Sequence, residues 1–125
     1  MIILKLNKDC IRDLLLYLEN TLNYNSKITI NNLSLASYSI EELMYTADRL
    51  IEAEYINANI CWNTTSTHVI VVNSISYQGH QFLDTIRDNI IWKETKSKSS
   101  KLASVSLPIL QEIASSFIKL KLGLP

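Results

Sequence analysis

Across residues 39–73 the hydrophobic period shortens from about 3.6 residues to 2, and no other feature restricts the possible folds as much. Ser39 is followed three residues later by Glu42, the spacing of a capping box, and Tyr38 and Leu43 stand where a hydrophobic staple closes around a helix start. Behind them Ile40, Leu43, Met44, Ala47, Leu50 and Ile51 fall on one helical face. After Glu54 the apolar residues Ile56, Ala58, Ile60 and Trp62 alternate with Asn57, Asn59 and Cys61, as in a half-buried strand. NTTST (63–67) reads as a turn and HVIVVN (68–73) as the returning strand. A helix is therefore followed directly by a β-hairpin.

The flanks supply further helices. In NKDCIRDLLLYLEN the residues Ile11, Leu14, Leu15, Leu18 and Leu22 keep helical spacing, with Asn7 as the expected N-cap and Asp9 in the first turn, where the helix dipole favours an acid. KITI (27–30) reads as a short strand, and residues 31–38 leave room for one turn, at NLSLA, before Ser39. Past the hairpin, Ser76 is the expected cap of a helix whose inner face is Gly79, Phe82, Leu83, Ile86 and Ile90. KSKSSKLASVS (96–106) reads as a mobile connection, after which Ser106 and Pro108 open a last amphipathic helix ending at Lys119, Lys121 and Gly123. The expected organisation is a domain over 1–95, a Ser/Lys-rich linker over 96–106 and a C-terminal amphipathic helix over 107–125.

A chain of 125 residues with 47% hydrophobic content can bury a core of its own. No apolar run approaches the roughly 18 residues of a membrane span, and the apolar start before Lys5 is too short for a signal peptide. Cys10 and Cys61 stand apart with no CxxC, as unlinked thiols in a reducing compartment would. The expectation is a cytoplasmic chain without membrane contact.

Helix, short strand, helix, hairpin, helix is the order of a winged-helix domain. The segments KDCIRDLLLYLEN, YSIEELMYTADRLIEAEYI and SISYQGHQFLDTIRDNIIWKETK, with the terminal KLKLG, carry the likeness further. Over nearly its whole length, and most specifically in YQGHQFLDTIRDNIIWK, the chain resembles an uncharacterised winged-helix family common in bacteriophages and in prophages of Gram-positive bacteria. The resemblance implies an α+β fold, a winged helix-turn-helix-like domain with an extra C-terminal helix, in a phage or prophage setting. That family usually has Gly where this chain has Glu54. A helix C′ residue in the left-handed region suits Gly, and a Cβ there costs roughly 1 kcal/mol. Either the turn has another shape here or the protein bears the strain.

Charge placement separates the possible functions. Residues 39–55 set Arg49 against Glu41, Glu42, Asp48, Glu52 and Glu54, whereas residues 93–125 set six lysines against Glu94 and Glu112. If the Ser39 helix reads DNA, Tyr45, Thr46 and Arg49 are the side chains placed to reach bases, with five acids beside the phosphates. Lys93, Lys96, Lys98 and Lys101 suit a phosphate backbone, although such a run also suits a solvated hinge. The last helix is too short to stand alone in water. It must pack on its own domain or on a second copy, in which case Leu110, Ile113, Ala114 and Phe117 form a homodimer interface. The stretch 74–93 has the look of an active site, with Gly79, His80, Asp84, Arg87 and Asp88, but Cys61, His68 and His80 show no metal-ligand spacing. Two glycines cannot build a P-loop or a GxGxxG turn. No catalytic residue, metal or cofactor is expected. Two functions fit: non-catalytic binding of duplex DNA, as in transcriptional regulation, or a protein-interaction module that modulates or inhibits a host protein.

Overall fold

Asn7 and Ser39 start the first two helices of the structure, a computed structural model that describes residues 5–35, 37–62, 68–102 and 104–125. The Asn7 side chain accepts from the backbone N–H groups of Asp9 (3.0 Å) and Cys10 (3.2 Å) and so caps α1, Lys8–Thr21. Ser39 accepts from the Glu42 N–H (3.1 Å) and caps α2, Ile40–Glu52. The two caps are joined, because the Glu42 carboxylate accepts from the Asn7 side-chain amide at 3.2 Å. Between the helices lie a short strand, β1 (Ile28–Thr29), and a 3-10 turn at Ile30–Asn32. The single turn expected at NLSLA thus falls earlier, where Asn31 can act as an extra ladder rung. Its amide donates to the His68 carbonyl and accepts from the Ile70 N–H, both at 3.0 Å.

The period change after Glu54 becomes the hairpin β2 (Ile56–Trp62) and β3 (His68–Ile75); the turn read at 63–67 lies outside the described residues. Three antiparallel strands form one sheet in the order β1-β3-β2. The register runs from Ile56 opposite Ile75 to Trp62 opposite His68, with an irregularity at Asn57/Ala58. α1 packs on α2 and β3, and α2 packs on β2 and the 3-10 turn. Ile11, Leu14, Leu15, Leu18, Leu43, Leu50, Ile70 and Val72 are buried. The alternation of β2 overstates its burial. Ile56 is buried, but Ile60 is 41% and Trp62 70% exposed, although Ile70 opposite Ile60 is fully buried; β2 is the edge strand of the sheet, and β3 is the central one.

Residues 1–80 form one compact unit and residues 81–125 a second. The division falls inside α3 (Tyr77–Ile86). One helix from Ser76 through Ile90 is also not what forms. Asp88 accepts from the N–H groups of Ile90 and Ile91, both at 2.9 Å, and starts a separate helix, α4 (Asn89–Ser99). The restart rotates the buried face, so Ile91 and Trp92 are buried and Ile90 is 53% exposed. α4 continues four residues into the stretch that reads as a linker. α5 spans Leu107–Lys121 and packs on α4. The fold is α+β, with five helices and one small antiparallel sheet among the described residues.

The junction of α2, the hairpin and α3 explains why Ser76, Gly79 and Glu54 matter. Glu54 has φ +64°, the left-handed conformation, and ends α2 in a Schellman motif: Tyr55 N–H to Leu50 carbonyl (2.9 Å) and Glu54 N–H to Ile51 carbonyl (3.0 Å). Of the alternatives raised by Glu54, the protein bears the strain. Ser76 braces the turn. Its hydroxyl donates to the Glu54 carbonyl and accepts from the Gly79 N–H (3.0 Å), while its own N–H donates to the Tyr55 carbonyl (3.0 Å). A Cβ on Gly79 would run into that same Tyr55 carbonyl and the Ile75 side chain. The close approach of α3 to the end of α2 therefore requires glycine.

Candidate nucleic-acid interface

Of the three α2 side chains placed to reach bases, one is turned into the core. Thr46 is 1% exposed, and its hydroxyl donates to the Cys10 sulfur at 3.3 Å. It stands between Leu43 and Leu50 in the buried stripe, three residues after one and four before the other, so helical geometry alone assigns it to the core. Arg49 lies 5.1 Å over the Tyr45 ring and 3.7 Å from the Glu52 carboxylate, and both residues are only partly exposed. Asp48 faces the His68 imidazole at 3.4 Å. Arg49, the one cation of α2, is thus engaged within the helix, and the exposed side is left acidic with Glu41 and Glu52 at its edges.

Unit charges reinforce the contrast. Residues 1–80 carry five basic and eight acidic side chains, a net −3, whereas residues 81–125 carry seven basic and four acidic, a net +3. Within the second unit, α4 and α5 enclose an open groove lined by Ile90, Lys93, Glu94, Ser97, Lys98, Lys101 and Phe117. Lys93, Ser97 and Lys101 recur every fourth residue from α4 into the turn after it, which brings them to one side. The Lys98 ammonium lies 5.5 Å from the Phe117 ring centroid. Lys96 points elsewhere, 5.6 Å over the Trp92 ring. Three of the four lysines singled out by sequence therefore converge, and Lys96 does not join them.

The four α5 residues proposed for a dimer have another role in part. Leu110 (1% exposed) and Ala114 (0%) are already buried within the single chain; Ile113 and Phe117 are half-buried. Phe117 and Ile90 are groove residues that sequence reasoning placed on an interface and in a core. Only the Asp88-Asn89 pair, a helix-start signal inside the helical pattern, hinted at Ile90's exposure.

Chemistry-bearing residues elsewhere are dispersed. His80 Nδ1 lies 3.9 Å from the Glu19 carboxylate, and Asp84 pairs with Arg87 at 2.7 Å. Cys10 and Cys61 are both free; burial pushes the Cys10 thiol up to about 11, with only partial relief from its Thr46 hydrogen bond. The thiol is fully buried, an environment that disfavours the thiolate. Burial, then the hydrogen bond to Asp13 (2.7 Å), raises the Tyr38 phenol far above its ordinary value. Among the described residues no group of three or more His, Cys, Asp or Glu side chains could hold a metal, and no helix is long and apolar enough to cross a membrane.

No solved structure matches the chain. An uncharacterised protein of Haemophilus influenzae is 27% identical over 116 residues, which covers 92% of this chain and 96% of that protein. The family model described as "Hypothetical protein (DUF2513)" matches residues 5–106, a span that holds α1, α2, the hairpin, the Ser76–Gly79 brace and all of α4. By that match the chain belongs to the DUF2513 family of hypothetical proteins.

Proposed function

We propose that this protein is a non-catalytic nucleic-acid-binding protein on a winged-helix-like scaffold, holding phosphates with the lysine groove of α4 and α5 and not with α2. The convergence of Lys93, Lys98 and Lys101 in a unit of net charge +3 carries this reading. The scaffold reading draws on the element order and on the β1-β3-β2 sheet, with the 3-10 turn at Ile30–Asn32 in place of a full first helix before α2. DNA binding in transcriptional regulation, in a phage or prophage setting, belongs to the same proposal. One observation favours a second reading, a host-protein contact: the first unit carries net −3 and exposes Glu41 and Glu52 on α2, a surface suited to a basic partner.

Salt separates the two. Three phosphate contacts give a log–log slope of about −2.7 on duplex, hence a loss of about 40-fold between 50 and 200 mM salt. Lys93→Gln and Lys98→Gln should each weaken all sequences alike, and Arg49→Ala should leave affinity and sequence preference unchanged. No binding of any nucleic acid at ~50 mM salt removes the proposal and leaves the protein-contact reading.

A further inference from the structure

Resting on the nucleic-acid reading, we infer that the groove of α4 and α5 takes a single strand in preference to a duplex, with bases against Phe117 and phosphates on Lys93, Lys98 and Lys101. The lining is mixed in a way that duplex DNA does not match. Beside the lysines stand the half-buried Phe117 ring and Ile90, which leaves 53% of its surface in water. A duplex offers a protein phosphates and groove edges while its base faces stay stacked, so an aromatic ring and an isoleucine in the groove would meet only charge. A single strand offers both surfaces at once: an anionic backbone for the ammonium groups and flat apolar base faces for the ring.

Two details assign roles. Lys98 already rests over Phe117, with its ammonium 5.5 Å from the ring centroid. An arriving base takes that ring face, and the displaced ammonium meets the phosphate attached to the same nucleotide. Glu94 also lines the groove, where it repels phosphate but accepts from an exocyclic amine such as cytosine N4. The ligand class is therefore a short single-stranded segment containing amino-bearing bases. α4 and α5 hold Lys98 and Phe117 across from each other, so the site needs both helices packed.

The test measures binding of the full chain to a labelled cytosine tract of about 12 nucleotides, at pH 7.5 to keep it unfolded, and to a duplex of equal length, in ~50 mM salt. The tract should bind at least 10-fold more tightly than the duplex. Phe117→Leu should weaken tract binding by about 5- to 150-fold, the range for loss of one stacked base, and leave the duplex unaffected; Phe117→Tyr should restore it. A duplex that binds as well as the tract overturns the inference, as does a Phe117→Leu variant that weakens both ligands equally. Failure of both ligands to bind overturns the nucleic-acid reading itself. Because Phe117 is half-buried, a second measurement uses the unaltered protein: photocrosslinking of a 5-iodocytosine tract should yield its adduct on Phe117. An adduct confined to α2 or the hairpin refutes the site.

Discussion

Replacing Glu54 by glycine should make the protein more stable, although it deletes a side chain from the end of a helix. Glu54 holds φ +64° at the C′ position of α2. The left-handed conformation costs a residue with a Cβ about 1–2 kcal/mol. Glycine removes that cost but releases more conformational freedom in the unfolded chain, which returns about 0.4–1 kcal/mol. The net gain is about 0.5–1 kcal/mol, and the Schellman bonds from Tyr55 and Glu54 involve backbone only, so the substitution keeps them. At about 2.1 cal/mol/K per residue of unfolding entropy, a chain of this length should gain roughly 2–4 °C in Tm.

The same chain supplies a control for geometry. α5 also ends in a Schellman motif, with Leu124 N–H to Lys119 carbonyl at 2.8 Å and Gly123 N–H to Leu120 carbonyl at 3.2 Å, but there the left-handed residue is glycine, at φ +71°. Nothing lies within 4 Å of a Cβ built on Gly123, so Gly123→Ala tests backbone strain without steric clash and should destabilise α5. Glu54→Ala provides the other control. It keeps the Cβ and removes a carboxylate that opposes the helix dipole, and its gain should stay within a few tenths of a kcal/mol. The assay is urea unfolding followed by circular dichroism, with m-values checked for constancy. If Glu54→Ala stabilises as much as Glu54→Gly, charge and not backbone strain is responsible. If Glu54→Gly destabilises, the conformation assigned to this turn is wrong.

Other consequences can be checked alongside. Gly79→Ala should cost about 1–3 kcal/mol, as overpacking against a backbone carbonyl does; thermal unfolding no different from the parent would mean that α3 can back away from Tyr55. Only one thiol should react with a disulfide reagent in the native state, the exposed Cys61, and the buried Cys10 should join it on unfolding; two fast thiols would contradict the Cys10 environment. Folded-state pKa values raised for Cys10, Tyr38 and Tyr55 mean that their stabilisation is complete below the ordinary values, near 9 and 10, and is lost as pH rises through the raised ones. Lys8, lowered first by burial and then by Lys5, acts in the opposite sense, so stability should fall between pH 9 and 11 by less than the three acids alone would give. Leu110→Asp should destabilise equally at all protein concentrations, whereas a concentration-dependent loss would place α5 at an interface between copies.

Local chemistry carried much of the fold into the sequence. Asn7 and Ser39 cap the helices they were expected to cap, the change of period marks the hairpin, and the glutamate at a glycine position marks the strained turn. Each depends on bonds within a few residues, so a linear reading can find it. Packing decided the rest. Thr46 is polar in composition but core by position, and burial is settled by what covers a helix face. Asp88 can cap a new helix only because the chain gains by burying Ile91 and Trp92 in place of Ile90, a comparison of two tertiary arrangements that residue spacing does not contain. The groove is the clearest case. Lys98 and Phe117 are 19 positions apart, and nothing local relates them. The sequence alone determined that the C-terminal third is basic; the packing of α4 on α5 determined that three of its lysines share a wall with an aromatic ring, because side chains distant in sequence meet only where helices do.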